Sequence, residues 1–188
     1  MHPNHRLLYE IILALAPQSV LEFGCGGGDH LHNLSVLLPG VEAYGLDRSE
    51  SQLAFVRKRH PELGDNVACG NIAEILEGVE VADVVYTQAV IMHIQTDDAH
   101  LEALGNAFRL AARQVVLVEN WTKHDFFGDI LRLKTDGCID WDEVNLYYRK
   151  VDEPGEEASA IIASRTVLSD LPVLDRYDRL LSPSPVPA

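Results

Sequence analysis

Apolar positions along the chain fall in short blocks whose spacing switches between helical and extended. Leu7, Leu8, Ile11, Ile12 and Leu15 share one side of a helix that Pro17 stops, and Ser19 to Phe23 then reads as a strand. A glycine-rich loop and a helix to about Leu38 follow, closed by the turn signal Pro39-Gly40. The alternation continues with a strand at Val41 to Leu46, a helix over Ser49 to Arg59, a short strand at Asn66 to Cys69 and a weak helix near Ala73 to Glu77. Ala82 to Thr87 reads as a buried strand. After it, "TDDAHLEALGNAFRLAA" sets Leu101, Leu104, Phe108 and Ala111 on one helical face behind a Thr96/Asp97 cap, and "QVVLVENW" is another buried strand.

Five strands alternating with helices predict a parallel sheet covered on both faces and connected by right-handed crossovers. The character changes after Trp121: "DFFGDILRLKTDG" reads as a helix closed by Gly137, and "EVNLYYRKV" and "ASAIIASRTVL" flank the turn-rich "DEPGEE" as a hairpin. The pattern therefore specifies one domain over residues 1–170. The proline-rich end, residues 171–188, is expected to be irregular.

Composition narrows the class. With 188 residues and 47% hydrophobic content the chain can bury one full core. The apolar stretch Ile11 to Ala16 is far short of the ~20 residues that span a bilayer, so a cytoplasmic protein with no membrane partner is expected. Three cysteines without CxxC spacing indicate neither a disulfide framework nor a zinc site. A formal charge of −14 opposes capture of a phosphate backbone, so no nucleic acid partner is expected. The basic run Arg57-Lys58-Arg59-His60 reads as a solvated helix end.

The chemistry concentrates in "VLEFGCGGGDH", residues 20–30. A strand ending at Phe23 that turns through Gly24, Gly26, Gly27 and Gly28 into a helix near Asp29 brings bare backbone to the carboxyl edge of the sheet, where such folds bind ligands. A phosphate loop would need Lys and Ser or Thr after the glycines, and a dinucleotide fingerprint would need glycine where Asp29 stands. The spacing Glu22-x-Gly24-x-Gly26-x-Gly28 resembles the signature of class I S-adenosyl-methionine-dependent methyltransferases, whose cofactor is cationic and suits an acidic loop. In that family an acid ends the second strand and accepts the ribose hydroxyls; here Asp47 lies 19 positions after Gly28. The resemblance covers about residues 18–167 and implies a Rossmann-like, doubly wound α/β fold with a mostly parallel seven-stranded sheet ending in an antiparallel hairpin.

It also implies a cofactor set of Glu22, Gly24, Cys25, Gly26, Gly28, Asp47, Arg48, Asn71, Ile72, Thr87 and Gln88, with Asn71 accepting from the adenine amine or capping its loop. Methyl transfer needs positioning, plus a base only where a hydroxyl must lose its proton. His93 is the candidate base, packing or capping being the alternative; Glu119 and His124 are reserves at the end of the fifth strand. Metal-dependent members carry an acid-Asn pair like Glu119-Asn120 but also an Asp where Thr87-Gln88 stands here, so no metal ligand is assigned. The motifs of nucleic acid methyltransferases are absent from the fourth strand. The expectation is methyl transfer to a hydroxyl or amine of a small metabolite or sugar, the alternative being an idle cofactor-binding module within a larger assembly. About 18 residues precede the first strand, so the acceptor side is expected to be open, lidded by Met1 to Leu8, or completed by a second subunit or domain.

Overall fold

The computed structural model describes residues 2–153, 156–168 and 175–176. In chain order the elements are α1 (Pro3–Leu15), β1 (Ser19–Phe23), α2 (Asp29–Leu37), β2 (Glu42–Asp47), α3 (Glu50–Arg59), β3 (Val67–Cys69), β4 (Ala82–Gln88), α4 (Ala99–Leu110), β5 (Ala111–Val118), α5 (Phe126–Thr135), β6 (Asn145–Glu153), β7 (Glu156–Ser164) and β8 (Asp175–Arg176). The sheet order is β3-β2-β1-β4-β5-β7-β6-β8. The first five strands in that order are parallel, and β7, β6 and β8 are each antiparallel to their neighbours.

This is the expected mostly parallel seven-stranded sheet with an antiparallel hairpin, with one strand added. Asp175 and Arg176 pair with Tyr148 and Tyr147 as an edge strand, where an irregular course was expected. The rest of residues 171–188, and the domain boundary at 170, lie outside the described residues.

Alternation along the strands sorts side chains onto two apolar layers. Leu21, Phe23, Val85, Val115 and Leu117 face α4 and α5 on one side, together with the fully buried Trp141, whose Nε1 donates to Phe108 O at 3.1 Å. Val20, Val84, Tyr86, Val116 and Val118 face the other side, where α1, α2 and α3 supply Leu7, Leu8, Ile12, Leu31, Leu34, Leu53 and Val56. Helix α1 is thus docked on the sheet through Leu7, Leu8 and Ile12, and none of its residues lines the cavity described below. Of the three alternatives for the acceptor side, a lid by residues up to Leu8 is therefore not what this structure has among the described residues.

Three local expectations change. Residues 73–77 form no helix. Asn71 Oδ1 accepts Ala73 N at 3.2 Å, and Asn106, reaching over from α4, donates to Ile72 O at 2.8 Å and Glu74 O at 2.7 Å, so non-local bonds satisfy these carbonyls. The α4 cap is Asp98 instead of Thr96 or Asp97, with Asp97 in the left-handed region at φ +43°. His60 departs from the solvated helix end expected of its basic run: it is buried at 8% exposure, whereas Arg57, Lys58 and Arg59 form the exposed last turn of α3.

Candidate functional site

The winding direction reverses between β1 and β4, and there the carboxyl ends of the strands open a cavity of about 590 Å³. Its walls are Gly24 after β1, Asp47 and Arg48 at the end of β2, residues 70–74 after β3, Ala89, Val90 and residues 93–96 after β4, and Ala99 at the start of α4.

The β1 edge is bare backbone. At Gly24, φ is +73° and an added Cβ would stand 2.6 Å from Val90 Cγ2, so a side chain there would close the crevice. At Gly28, φ is +78° and a Cβ would meet Val56 Cγ1 at 2.9 Å, so the loop packs on α3 only as glycine. Gly24 N and Cys25 N donate to Leu46 O at 2.7 and 3.0 Å, which ties the loop to the end of β2. Asp47 completes the tie: Oδ2 accepts Gly26 N and Oδ1 accepts Ser49 N, both at 2.8 Å. The two amides aim the carboxylate, and each oxygen keeps a further lone pair for hydroxyls in the cavity.

Glu22 lies beneath this loop at 1% exposure, and its Oε2 has no hydrogen-bond partner. Burial pushes its carboxyl up to about 8; the Tyr86 phenol beside it pulls the other way, and the negative charges of Asp47 and Asp29 add to the rise. Burial also pushes the Cys25 thiol well up, helped by Glu22 and Asp47, which makes this cysteine inert packing.

The β4 side is held by a different carboxylate. Glu119, one residue past β5 and 4% exposed, accepts Thr87 Oγ1 at 2.7 Å, Val90 N at 3.0 Å, Ile91 N at 3.2 Å and Met92 N at 3.1 Å. It anchors the 3-10 turn Ile91–His93 and so positions the His93 backbone. The His93 side chain is exposed and lines the cavity. His124 does not line it: its ring stacks on His100 at 4.2 Å.

Of the residues expected at the site, Gly24, Asp47, Arg48, Asn71, Ile72 and His93 line one cavity. Glu22, Cys25, Gly26, Gly28, Thr87, Gln88 and Glu119 lie behind its wall, buried or bonded to the loops that form it. Asn71 is engaged locally, its Nδ2 donating to Glu74 Oε1 at 2.8 Å. Gln88 bonds His30, whose imidazole is pulled down by burial and by His5, with Gln88 and Asp29 opposing. Apart from His93, sequence reasoning missed the wall formed by Ala89, Val90 and residues 94–96, because no spacing marks a loop whose shape is set by a glutamate about 30 residues away. It also missed Tyr9, which shares a 2.8 Å hydrogen bond with His30 and accepts one from Asn33.

A doubly wound sheet with a glycine loop after its first strand and an acid at the end of its second, both beside the switch point, has the architecture of nucleoside-cofactor α/β domains. The chain belongs to the methyltransferase domain family, which it matches over residues 21–117, just over half its length, and by family and fold it is a class I S-adenosyl-methionine-dependent methyltransferase domain. It is 30% identical over 92 residues to the trans-aconitate 2-methyltransferase of Paracidovorax citrulli (strain AAC00-1), a match covering 49% of this chain and 35% of that enzyme. The chain therefore spans about a third of that relative's length. In fold it resembles a TehB-like SAM-dependent methyltransferase from Corynebacterium glutamicum, with TM-score 0.65 and 20% identity over 88% of this chain and 89% of that one. It also resembles the magnesium protoporphyrin IX methyltransferase of Synechocystis PCC 6803 with bound SAH, with TM-score 0.64 and 18% identity over 86% and 82% of the two chains. Among the described residues no helix is long and apolar enough to cross a membrane.

Proposed function

We propose that the protein transfers the methyl group of S-adenosyl-methionine to a hydroxyl or amine of a small metabolite or sugar. The observation that carries this reading is a single cavity with Asp47 and the bare Gly24 edge in one wall and the exposed His93 imidazole in another. Its volume of about 590 Å³ falls in the range of small-molecule clefts, ~300–1,000 Å³.

The residues present fit the cofactor. Asp47 is aimed by two amides and has lone pairs left for two ribose hydroxyls, and Asn71 and Ile72 stand beyond it where the adenine would lie. Asp47 and Asp29 place negative charge at the loop, which favours a cation. When bound, S-adenosyl-methionine supplies a methyl on a positive sulfonium that leaves as a neutral thioether. His93 accepts the proton of a hydroxyl acceptor; an amine that arrives neutral needs positioning alone. A net charge of −14 supports an acceptor other than nucleic acid.

Calorimetric titration with S-adenosyl-methionine and S-adenosyl-homocysteine tests the cofactor half, and turnover on a metabolite panel, read as S-adenosyl-homocysteine formed, tests the acceptor half. Saturable binding with turnover on a hydroxyl or amine supports the reading; binding with no turnover on any acceptor favours an idle module. His93→Gln should lower turnover on a hydroxyl acceptor about 100-fold. Cofactor affinity should stay unchanged, and so should the melting temperature, because the side chain is exposed. Full turnover in that variant would remove His93 from the mechanism.

A further inference from the structure

We propose that His32, His60 and Glu62 form a divalent transition-metal site of the kind zinc occupies, outside the cavity and clamping α2 to the end of α3. His32 is the fourth residue of α2, His60 directly follows α3, and Glu62 lies in the 3-10 turn Pro61–Asn66. One ligand atom from each residue stands within 4.8 Å of the other two. His32 Nδ1 is 2.8 Å and His60 Nδ1 is 3.7 Å from the same oxygen, Glu62 Oε1. The two imidazoles stack at 4.3 Å and 22°, so their ring edges run side by side toward that carboxylate.

The backing of His60 argues for a ligand. This ring is 8% exposed, and its Nε2 lies 3.2 Å from Asp29 Oδ1, which Arg59 Nη2 holds in turn at 2.9 Å. A carboxylate only accepts, so Nε2 is the donor toward Asp29 and Nδ1 is the nitrogen turned toward Glu62. That nitrogen is beyond hydrogen-bond reach of Glu62. A carboxylate behind an imidazole whose free nitrogen faces two further ligands is the outer-shell arrangement that orients metal-binding histidines. A lone His32–Glu62 ion pair would give His60 and Asp29 no part.

The distances suit the ion. Metal–ligand bonds of ~2.0–2.2 Å in a tetrahedron place ligand atoms about 3.3–3.6 Å apart. The His60–Glu62 separation of 3.7 Å nearly meets this. The 2.8 Å His32–Glu62 contact is bridged by a proton, which must move to Nε2 or to solvent as the metal takes its place. Both of these side chains are about half exposed and free to adjust, and solvent can fill the fourth position. Two nitrogens and one oxygen disfavour magnesium and calcium, which take oxygen ligands. Asp29 is the first residue of α2 and follows Gly28, so the metal would stiffen the outer wall of the cofactor loop.

The test uses the full chain without an affinity tag, stripped with chelator. Zinc titrated calorimetrically should bind at one site with Kd in roughly the micromolar range or below, cobalt should give the visible absorption of a tetrahedral complex, and magnesium should give neither signal. At a hundredfold excess over Kd, zinc should raise the melting temperature by about 5 °C or more. Glu62→Gln and His32→Gln, both at exposed side chains, should each weaken zinc binding tenfold or more. Asp29→Asn should do so by about 10- to 100-fold through His60. His100→Gln, at the other stacked histidine pair, should leave zinc affinity unchanged. Absence of zinc binding, or a loss under tenfold in both Glu62→Gln and His32→Gln with circular dichroism unchanged, would overturn the site.

Discussion

Two glutamates are buried at the same edge of the sheet, and they differ in almost everything else. Glu22 on β1 is 1% exposed, has an oxygen without a hydrogen-bond partner and lies near Asp47 and Asp29. Glu119 after β5 is 4% exposed and accepts from four donors. A satisfied buried carboxylate organises the chain around it, as Glu119 does for residues 90–92. A buried carboxyl with an idle oxygen is costly as an anion and so keeps its proton in the isolated fold. The contrast separates the two halves of the cavity: behind one wall lies a carboxyl that burial keeps protonated, behind the other a fully bonded carboxylate that pins the loop carrying His93.

The largest expected effect is on Glu22, and its sign is opposite to that of an ordinary core mutation. With its carboxyl raised from 4.5 to about 8, the folded state keeps a proton that the unfolded chain releases above about 4.5. The contribution of Glu22 is fully present below pH 4.5 and is lost as pH rises toward 8, about 4 kcal/mol over that window. Glu22→Gln should remove this slope. Denaturant unfolding at pH 5, 6.5 and 8 reads it, and the variant should gain on the wild type as pH rises. Parallel pH profiles for the two proteins would show that Glu22 is not the strained member of the pair.

For Glu119 the expectation reverses. Glu119→Gln keeps the shape but turns an amino group toward backbone amides that already donate, leaving buried donors unpaired at a cost of about 2–3 kcal/mol. The melting temperature should fall by roughly 4–10 °C. Because Val90 lines the cavity beside Gly24, S-adenosyl-homocysteine affinity should fall with it. A variant as stable as the wild type would end the distinction between a clamping carboxylate and a protonated carboxyl.

These two residues also mark what the sequence could convey. The strand and helix alternation was legible because each element carries its own periodicity, and the glycine loop with Asp47 was legible because 19 residues fix their spacing. Glu119 read as a reserve catalytic residue and not as a loop anchor, since its donors lie 27–32 residues earlier and converge only after β4 and β5 pair. The same limit hid the non-helical course of residues 73–77, held by Asn106 from α4, and the meeting of His32 with His60 and Glu62. Local pattern reports local structure; contacts between crossovers need the fold.

The smallest effect belongs to Asp47, which stands between the two glutamates in character. It is half-buried, and each oxygen holds one backbone amide while keeping room for one more donor. Asp47→Asn preserves the shape, yet its amide nitrogen must face either Gly26 N or Ser49 N, and one ribose hydroxyl loses its charged acceptor. The loss is about 1–3 kcal/mol if both hydroxyls are held, a 5- to 150-fold rise in the Kd for S-adenosyl-methionine. Stability should change less than in Glu119→Gln, because Ser49 Oγ still caps α3 through Gln52 N. Titration of the folded variant with S-adenosyl-homocysteine separates the outcomes: a weakened Kd at near-constant melting temperature assigns Asp47 to the ligand. An unchanged Kd with a lowered melting temperature would make it a third loop anchor, and the ribose would have to be held elsewhere along the β2 and β3 ends.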